Sequence, residues 1–427
     1  MMWKALAIPW GKEKRAFKVP ADGLAWVATP KDCPGVTDEQ KEILQAIRSP
    51  LGGLSLSGLV ASAKGRKTAI LVDDATRVTP VAKILPILLD ELNAVGVPDE
   101  QIKVILALGS HRFMTPAEIR DRLGVCADRV TTINHAYNDP SQLVNLGTTT
   151  AGTPIIVNRV YYESDISIGI SNIIPHFIAG WSGGAKIVQP GVSGEETTAR
   201  IHLNGSLSWP AIMGKPENPI RHEMEEVARL SGLKMVINTV LNLKEQIVRV
   251  IAGDIVLAHR EAVKHARGIY EFRIDERPDI VVAGSYPANK DFWQADKALA
   301  AAVLMVKPGG TVILAAPCTE GISPEHPVLL ALGACPAKEV YARAVRGEFQ
   351  DPIGVTAHIK IGVMREMAEV ILVSQGVSQE DTERMGLRFA ADIDSAISMA
   401  LARHGKKARI GVITHGADIA PVVASDF

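Results

Sequence analysis

"TAILVDDATRVTPVAKILPILLDELNAVGVPDEQIKVILALGSH", residues 68–111, decides the fold. Its first part, 68–74, is a short apolar run closed by two acids, the pattern of a buried strand. Residues 81–96 show helical spacing of apolar side chains, with Gly96 suited to a helix end. Residues 102–111 form a second apolar run, closed by Ser110 and His111. Strand, helix, strand is the βαβ grammar of a largely parallel sheet.

Working outward, 115–124 ("TPAEIRDRLG") opens a helix with a Thr cap and Pro at its first position. The runs 129–135 and 165–173 continue the alternation. Residues 218–232 read as a capped helix ended by glycine, and 234–242 with 246–254 as an antiparallel pair. The charged stretch 265–279 is expected to be a linker. A second βαβ unit then begins: strand 279–285, helix 291–306, turn "KPGG", strand 311–317. Helices are expected to about 404, with 408–416 as the final strand. The fold expected is α/β: two α/β domains with mainly parallel sheets, 1–270 and 271–427, and the active site in the cleft between them.

At about 150 residues per domain, a chain of 427 residues supports two or three domains. A net charge of −1 argues against a nucleic-acid binder driven by phosphate neutralisation, and 5% aromatic residues are too few for a base-stacking platform. There is no run long and apolar enough for a membrane span, and the N-terminus has no signal-peptide hydrophobic region. Cys33, Cys126, Cys318 and Cys335 are far apart and form no C-x-x-C pair. A reduced, cytoplasmic protein is expected.

Polar clusters fall where strands end, the place where open α/β sheets bind ligands. Asp73, Asp74, Thr76 and Arg77 follow the first strand. Ser110, His111 and Arg112 follow the second. Asn172 and His176 follow another, and Asn289, Gln294 and Lys297 follow the first strand of the second domain. Gln294 and Lys297 share one face near a helix N-terminus, which favours an anion. Arginine, lysine and an amide together suit a small carboxylate or phosphate. Each residue alone has an ordinary reading: Asp74 and Thr76 can cap a helix, Arg77 can be a surface ion pair, and His111 a loop histidine. His135, His222, His259, His265, His326, His358, His404 and His415 are read as structural or exposed.

The stretch 175–194, "PHFIAGWSGGAKIVQPGVSG", approaches a phosphate loop and departs from it. A lysine follows two glycines, but the Walker spacing and hydroxyl are missing. With "DDATR" (73–77), "GSHR" (109–112), "RIHL" (200–203) and "WQADK" (293–297), it resembles the nickel-dependent lactate racemase family, in order and over nearly the whole chain.

That resemblance implies a nickel ion held by a pyridinium-bisthiocarboxylate-type mononucleotide covalently attached to Lys186. It implies His202 as the nickel ligand and His111 and His176 as paired acid/bases. Arg77, Gln294 and Lys297 would bind substrate, and Asp74, Ala75, Thr76 and Arg77 would contact the cofactor. The glycines would let the backbone approach a flat cofactor. The implied reaction is racemisation or epimerisation of a 2-hydroxy acid by reversible hydride transfer through a 2-keto acid. Cofactor-building and insertion proteins would be partners, and a homo-oligomer fits the reading. Histidine suits base and acid roles near neutral pH, and imidazole suits nickel. Two departures bear on the substrate. Trp293 stands where the family's lactate enzyme has tyrosine, and the family's second-domain aromatic has no evident counterpart in 349–360. Alternatives are a phosphate- or nucleotide-dependent transferase, or a non-catalytic homologue binding the cofactor or a carboxylate.

Overall fold

Thr68–Asp73 is buried at every position and hydrogen-bonded along both edges, to Ile102–Ala107 and Ile166–Asn172, as its uninterrupted apolar run requires. In the computed structural model, which describes residues 2–424, this strand is at the centre of the first of two six-stranded sheets. The strand order is Ile247–Gly253, Met235–Leu241, Ile166–Asn172, Thr68–Asp73, Ile102–Ala107, Thr131–Asn134. All pairings are parallel except that of Met235–Leu241 with Ile247–Gly253. Helix Val81–Ala94 covers one face with Ile84, Leu85, Leu88 and Leu92, the stripe its spacing predicts. Pro116–Leu123 starts with the expected cap: Thr115 and Glu118 form a capping box.

The second sheet is parallel throughout, in the order Arg388–Phe389, Glu369–Val373, Thr311–Ala315, Ile280–Gly284, Ile410–Ile413, Leu24–Ala28. In each sheet one strand has later strands on both sides, Thr68–Asp73 in the first and Ile280–Gly284 in the second. Crevices open at the carboxyl ends there.

Several expectations need correction. Leu24–Ala28 belongs to the second sheet, and the hairpin Trp3–Trp10/Glu13–Pro20 packs on that sheet through Ile8, Phe17 and Val19. The chain's early strands therefore cross the expected division at 270/271. The stretch 265–279 is not a free linker. It completes helix Leu257–Tyr270 and supplies strand Glu271–Ile274, which pairs with Ala420–Val423. Glu369–Val373 is a strand inside the region expected to be helical, and Ala420–Val423 follows the strand expected to be last.

The sheets share one core. Leu71 and Ile105 of the first belong to the same buried cluster as Val281 and Leu314 of the second and Ala298 of helix Phe292–Met305. Helix Pro352–Met367 packs on helix Glu195–Ser206 across the junction. The four cysteines are free, and no described helix is long and apolar enough to cross a membrane.

Candidate active site

The carboxyl ends of three strands of the first sheet face a cleft whose opposite wall is made by helices of the second sheet. Its free space, including the part open to solvent, is about 910 Å³, within the range of small-molecule sites. Asp74, Arg77, His111, His176, Lys186, His202, Gln294 and Lys297 all line it. Ala75 and Thr76 line an adjoining hollow that shares Asp74, His111 and Gln294 with the cleft. Arg112 points into that hollow and is ion-paired to Glu118.

His111 is oriented from both ends. Its Nδ1 lies 2.5 Å from Asp74 Oδ2, and its Nε2 lies 3.1 Å from the Gln294 amide nitrogen. Asp74 Oδ1 accepts from the Thr76 amide (2.9 Å) and hydroxyl (2.5 Å), and Arg77 donates to that hydroxyl at 2.8 Å. Lys297 donates to Gln294 Oε1. The network has one consistent direction: Lys297 to Gln294, Gln294 to His111 Nε2, and His111 Nδ1–H to Asp74. His111 thus presents an unprotonated nitrogen to the cleft. Burial alone would raise the Asp74 carboxyl. Its contact with His111, with Arg77 and Thr76 behind it, holds it far below the usual carboxylate range.

His176 is arranged the other way. Its Nδ1 accepts the backbone amides of Ile178 (3.3 Å) and Ala179 (3.2 Å), so the neutral ring carries its proton on Nε2. Burial, then the positive charges of Lys186, Lys297 and Arg77, push its pKa well below the ordinary histidine value.

Lys186 lies in a short 3-10 turn, Gly184–Ile187. The glycines before it serve the fold. Gly183 has φ +74°, and a Cβ there would come within 2.4 Å of Ile173 Cδ1. The Gly184 amide donates to Asn238 Oδ1 at 2.9 Å and is therefore not available to a phosphate. Arg221, fully buried, fastens the loop by donating to the carbonyls of Ala179, Trp181 and Gly183. Burial, followed by Arg77 and Lys297, drives the Lys186 pKa well down, and burial with Lys360 and Lys186 does the same to His202.

The opposite wall comes from the second sheet's helices. Helix Phe292–Met305 is capped by Asp291 and brings Gln294, Asp296 and Lys297 to the cleft. Trp293 stacks on His326, with ring centres 4.6 Å apart. Lys360 reaches in from helix Pro352–Met367. Asn289 is not among the residues lining the cleft.

A family model for the lactate racemase N-terminal domain matches residues 10–214, and one for the C-terminal domain matches 275–421. The lactate racemase of Lactiplantibacillus plantarum is 30% identical over 385 residues, covering 88% of this chain and 90% of its own. The chain belongs to the lactate racemase family. The lactate racemase of Thermoanaerobacterium thermosaccharolyticum is 27% identical, covering 97% of this chain and 98% of its own. Its apoprotein structure superposes with a TM-score of 0.87 at 24% identity, covering 98% of this chain and all of that one. A protein of Thermotoga maritima superposes at 0.70 with 20% identity, covering 90% and 98%.

Within this lactate racemase family member, three cleft-associated residues were not singled out from sequence. His326, read as structural or exposed, is buried between Asp351 (2.9 Å) and Ser110 (3.3 Å), so it ties the two halves together. Lys360 is the residue of 349–360 that reaches the cleft, whereas Phe349 packs under Arg343. Arg221 had a signal: it falls on the apolar stripe with Met224 and Ala228, where a cation is out of place. His135, also at a strand end, bonds Ser193 O at 2.9 Å and is structural.

Proposed function

We propose that the protein racemises or epimerises a lactate-like 2-hydroxy acid with a nickel ion carried by a pyridinium-bisthiocarboxylate mononucleotide on Lys186. Membership of the family makes it an isomerase. The observation that carries the reading is the convergence of His111, His176, Lys186, His202, Arg77, Gln294 and Lys297 on one cleft.

The residues suit such a group. A lysine whose pKa is driven down gives up its proton more readily, and the amine so formed can be acylated. His202 is a neutral imidazole, a good nickel ligand. Asn172 lines the cleft with its amide nitrogen buried and unpartnered, a donor awaiting an acceptor. No three metal-ligating side chains cluster among the described residues, so a metal on His202 would take its other donors from the bound group. When bound, that group supplies a ring carbon able to accept the α-hydrogen as hydride and return it.

The chain's own residues do the rest. Arg77 and Lys297 hold the carboxylate, and Gln294 fixes both Lys297 and His111. His111 Nε2 takes the hydroxyl proton, and Asp74 stabilises the imidazolium that results. With that proton and the α-hydrogen gone, the substrate is a planar 2-keto acid, open to return of hydrogen on either face. His176 serves the opposite hand. To take a proton at Nε2 it must release the Ile178 and Ala179 amides, so the two histidines are not interchangeable at rest.

The test uses protein produced with and without the cofactor-building and insertion proteins, which are the partners this reading requires. Enantiopure lactate is followed by circular dichroism, alongside nickel content and intact mass. Racemisation, nickel and an added mass on Lys186 are expected only with those proteins. Unmodified, nickel-free protein from cells containing them sinks the reading.

A further inference from the structure

We propose that the substrate is a 2-hydroxy acid bearing a second carboxylate, and that Lys360 binds that carboxylate; this rests on the 2-hydroxy-acid reading above. Lys360 is 4% exposed, yet it lines the cleft. Its ammonium sits 4.7 Å from the ring centre of Phe177 and 5.5 Å from that of Trp293. The acid paired with it, Asp296, stays 3.7 Å away, beyond hydrogen-bond reach. That carboxylate oxygen, Asp296 Oδ2, has no hydrogen-bond partner either. The ammonium is thus steadied by two aromatic faces and one loose ion pair, and its donors are unspent.

A buried cation with unspent donors is costly unless a ligand supplies acceptors. The first carboxylate of a 2-hydroxy acid already has Arg77 and Lys297. Asp74 is committed to His111, Asp73 to Arg122 and Thr79, and Lys186 to the cofactor, which leaves Asp296 as the acid to set against three further cleft cations: Arg77, Lys297 and Lys360. The cleft therefore carries excess positive charge, and Lys360 adds it on the wall formed with Phe177 and Trp293. The methyl group of lactate would meet an ammonium there. A carboxylate would accept hydrogen bonds from it while Asp296 keeps its ion pair. The recess is also held in shape. Trp293 stacks on His326 at an interplanar angle of 22°, and His326 is fixed by Asp351 and Ser110.

The test compares nickel-loaded enzyme on enantiopure lactate, 2-hydroxysuccinate, 2-hydroxyglutarate and 2-hydroxy-3-carbamoylpropanoate, the uncharged isostere of 2-hydroxysuccinate. The better dicarboxylate should exceed lactate and the isostere at least tenfold in kcat/KM. Lys360→Met should shrink that preference tenfold or more, and Lys360→Arg should retain part of it. Calorimetric titration of the same acids should show the preference lost in binding as well. Lactate turned over as well as either dicarboxylate by the unaltered enzyme overturns the proposal, whether or not the variants fold. So does a Lys360→Met loss shared equally by all substrates, which would place Lys360 on the cofactor. Turnover of no 2-hydroxy acid at all overturns the parent reading, and the proposal falls with it.

Discussion

His111 and Gln294 lie 183 positions apart in the chain, and their side-chain nitrogens meet at 3.1 Å. The contact joins a loop of the first sheet to a helix of the second. A four-residue relay, from Lys297 to Asp74, therefore crosses the cleft and sets which nitrogen of His111 is bare.

Asp74→Asn tests that relay. An amide of nearly the same shape cannot hold His111 Nδ1–H in the same way and cannot stabilise the imidazolium. The expected result is a fall in kcat of roughly a hundredfold or more with little change in KM. Acid stability should change too. The folded Asp74 pKa lies below its unfolded value of about 3.9, so its contribution is present above that pH and lost as pH falls further. Urea melts should show the gap between wild type and variant narrowing below about pH 4.

Lys186→Met should abolish the added mass seen with the cofactor-building proteins. In the apoprotein it should also raise the His176 pKa, because after burial the Lys186 charge is the foremost cause holding that value down. Proton NMR of the His176 ring reads this directly. An unmoved or lowered titration would remove Lys186 as a neighbour of consequence.

Arg77→Ala and Lys297→Ala should weaken substrate use. Each removes a charge-assisted contact to carboxylate, about 1.5–3 kcal/mol, or roughly ten- to a hundredfold in kcat/KM. Unchanged steady-state kinetics in both variants would exclude them from the carboxylate site.

The α-hydrogen should be conserved. If His111 and His176 handle only the hydroxyl proton, 2-²H-substrate racemised in ordinary water keeps its deuterium, and trapping detects some 2-keto acid. Mass spectrometry showing wash-out at the rate of racemisation, with no keto acid, would make the histidines carbon bases instead.

Buried histidines should govern the acid limb of stability. Burial lowers His135 to about 4 and pushes His176, His202 and His259 well below the ordinary value. Below about pH 6.5 the unfolded chain binds protons that the native one refuses, so stability falls as pH falls through that region. His259 donates to Ser182 O at 2.9 Å and stands outside the proposed chemistry. In apoprotein melts, His259→Gln should flatten the slope between pH 7 and 5.

Much of this was legible in the sequence. Thr68–Asp73 and Ile102–Ala107 are uninterrupted apolar runs closed by polar residues, so both the strands and the chemistry at their ends could be read. Glu369–Val373 was missed because it is short and follows a helix with no turn signal between them. Leu24–Ala28 was missed because an edge strand is partly exposed and has a weak pattern. Among site residues, those at strand ends were found. Lys360 was not, because a lysine in the middle of a helix reads as solvated until a neighbouring helix is seen to cover it.

The pairing of Leu24–Ala28 with Ile410–Ile413 has a consequence for how the molecule is assembled. Residues 24–28 leave the ribosome well before 410–413 and wait, without that partner, while everything between them emerges. The half bearing Gln294, Lys297 and Lys360 is thus a discontinuous module, stitched from segments far apart in the sequence. Expressed from residue 275 onward it would present the bare flank of Ile410–Ile413, an invitation to aggregate. The same stitching gives the two halves a double backbone crossing, like a door hung on two pins. Two such ties, with the shared buried core, hold Gln294 opposite His111.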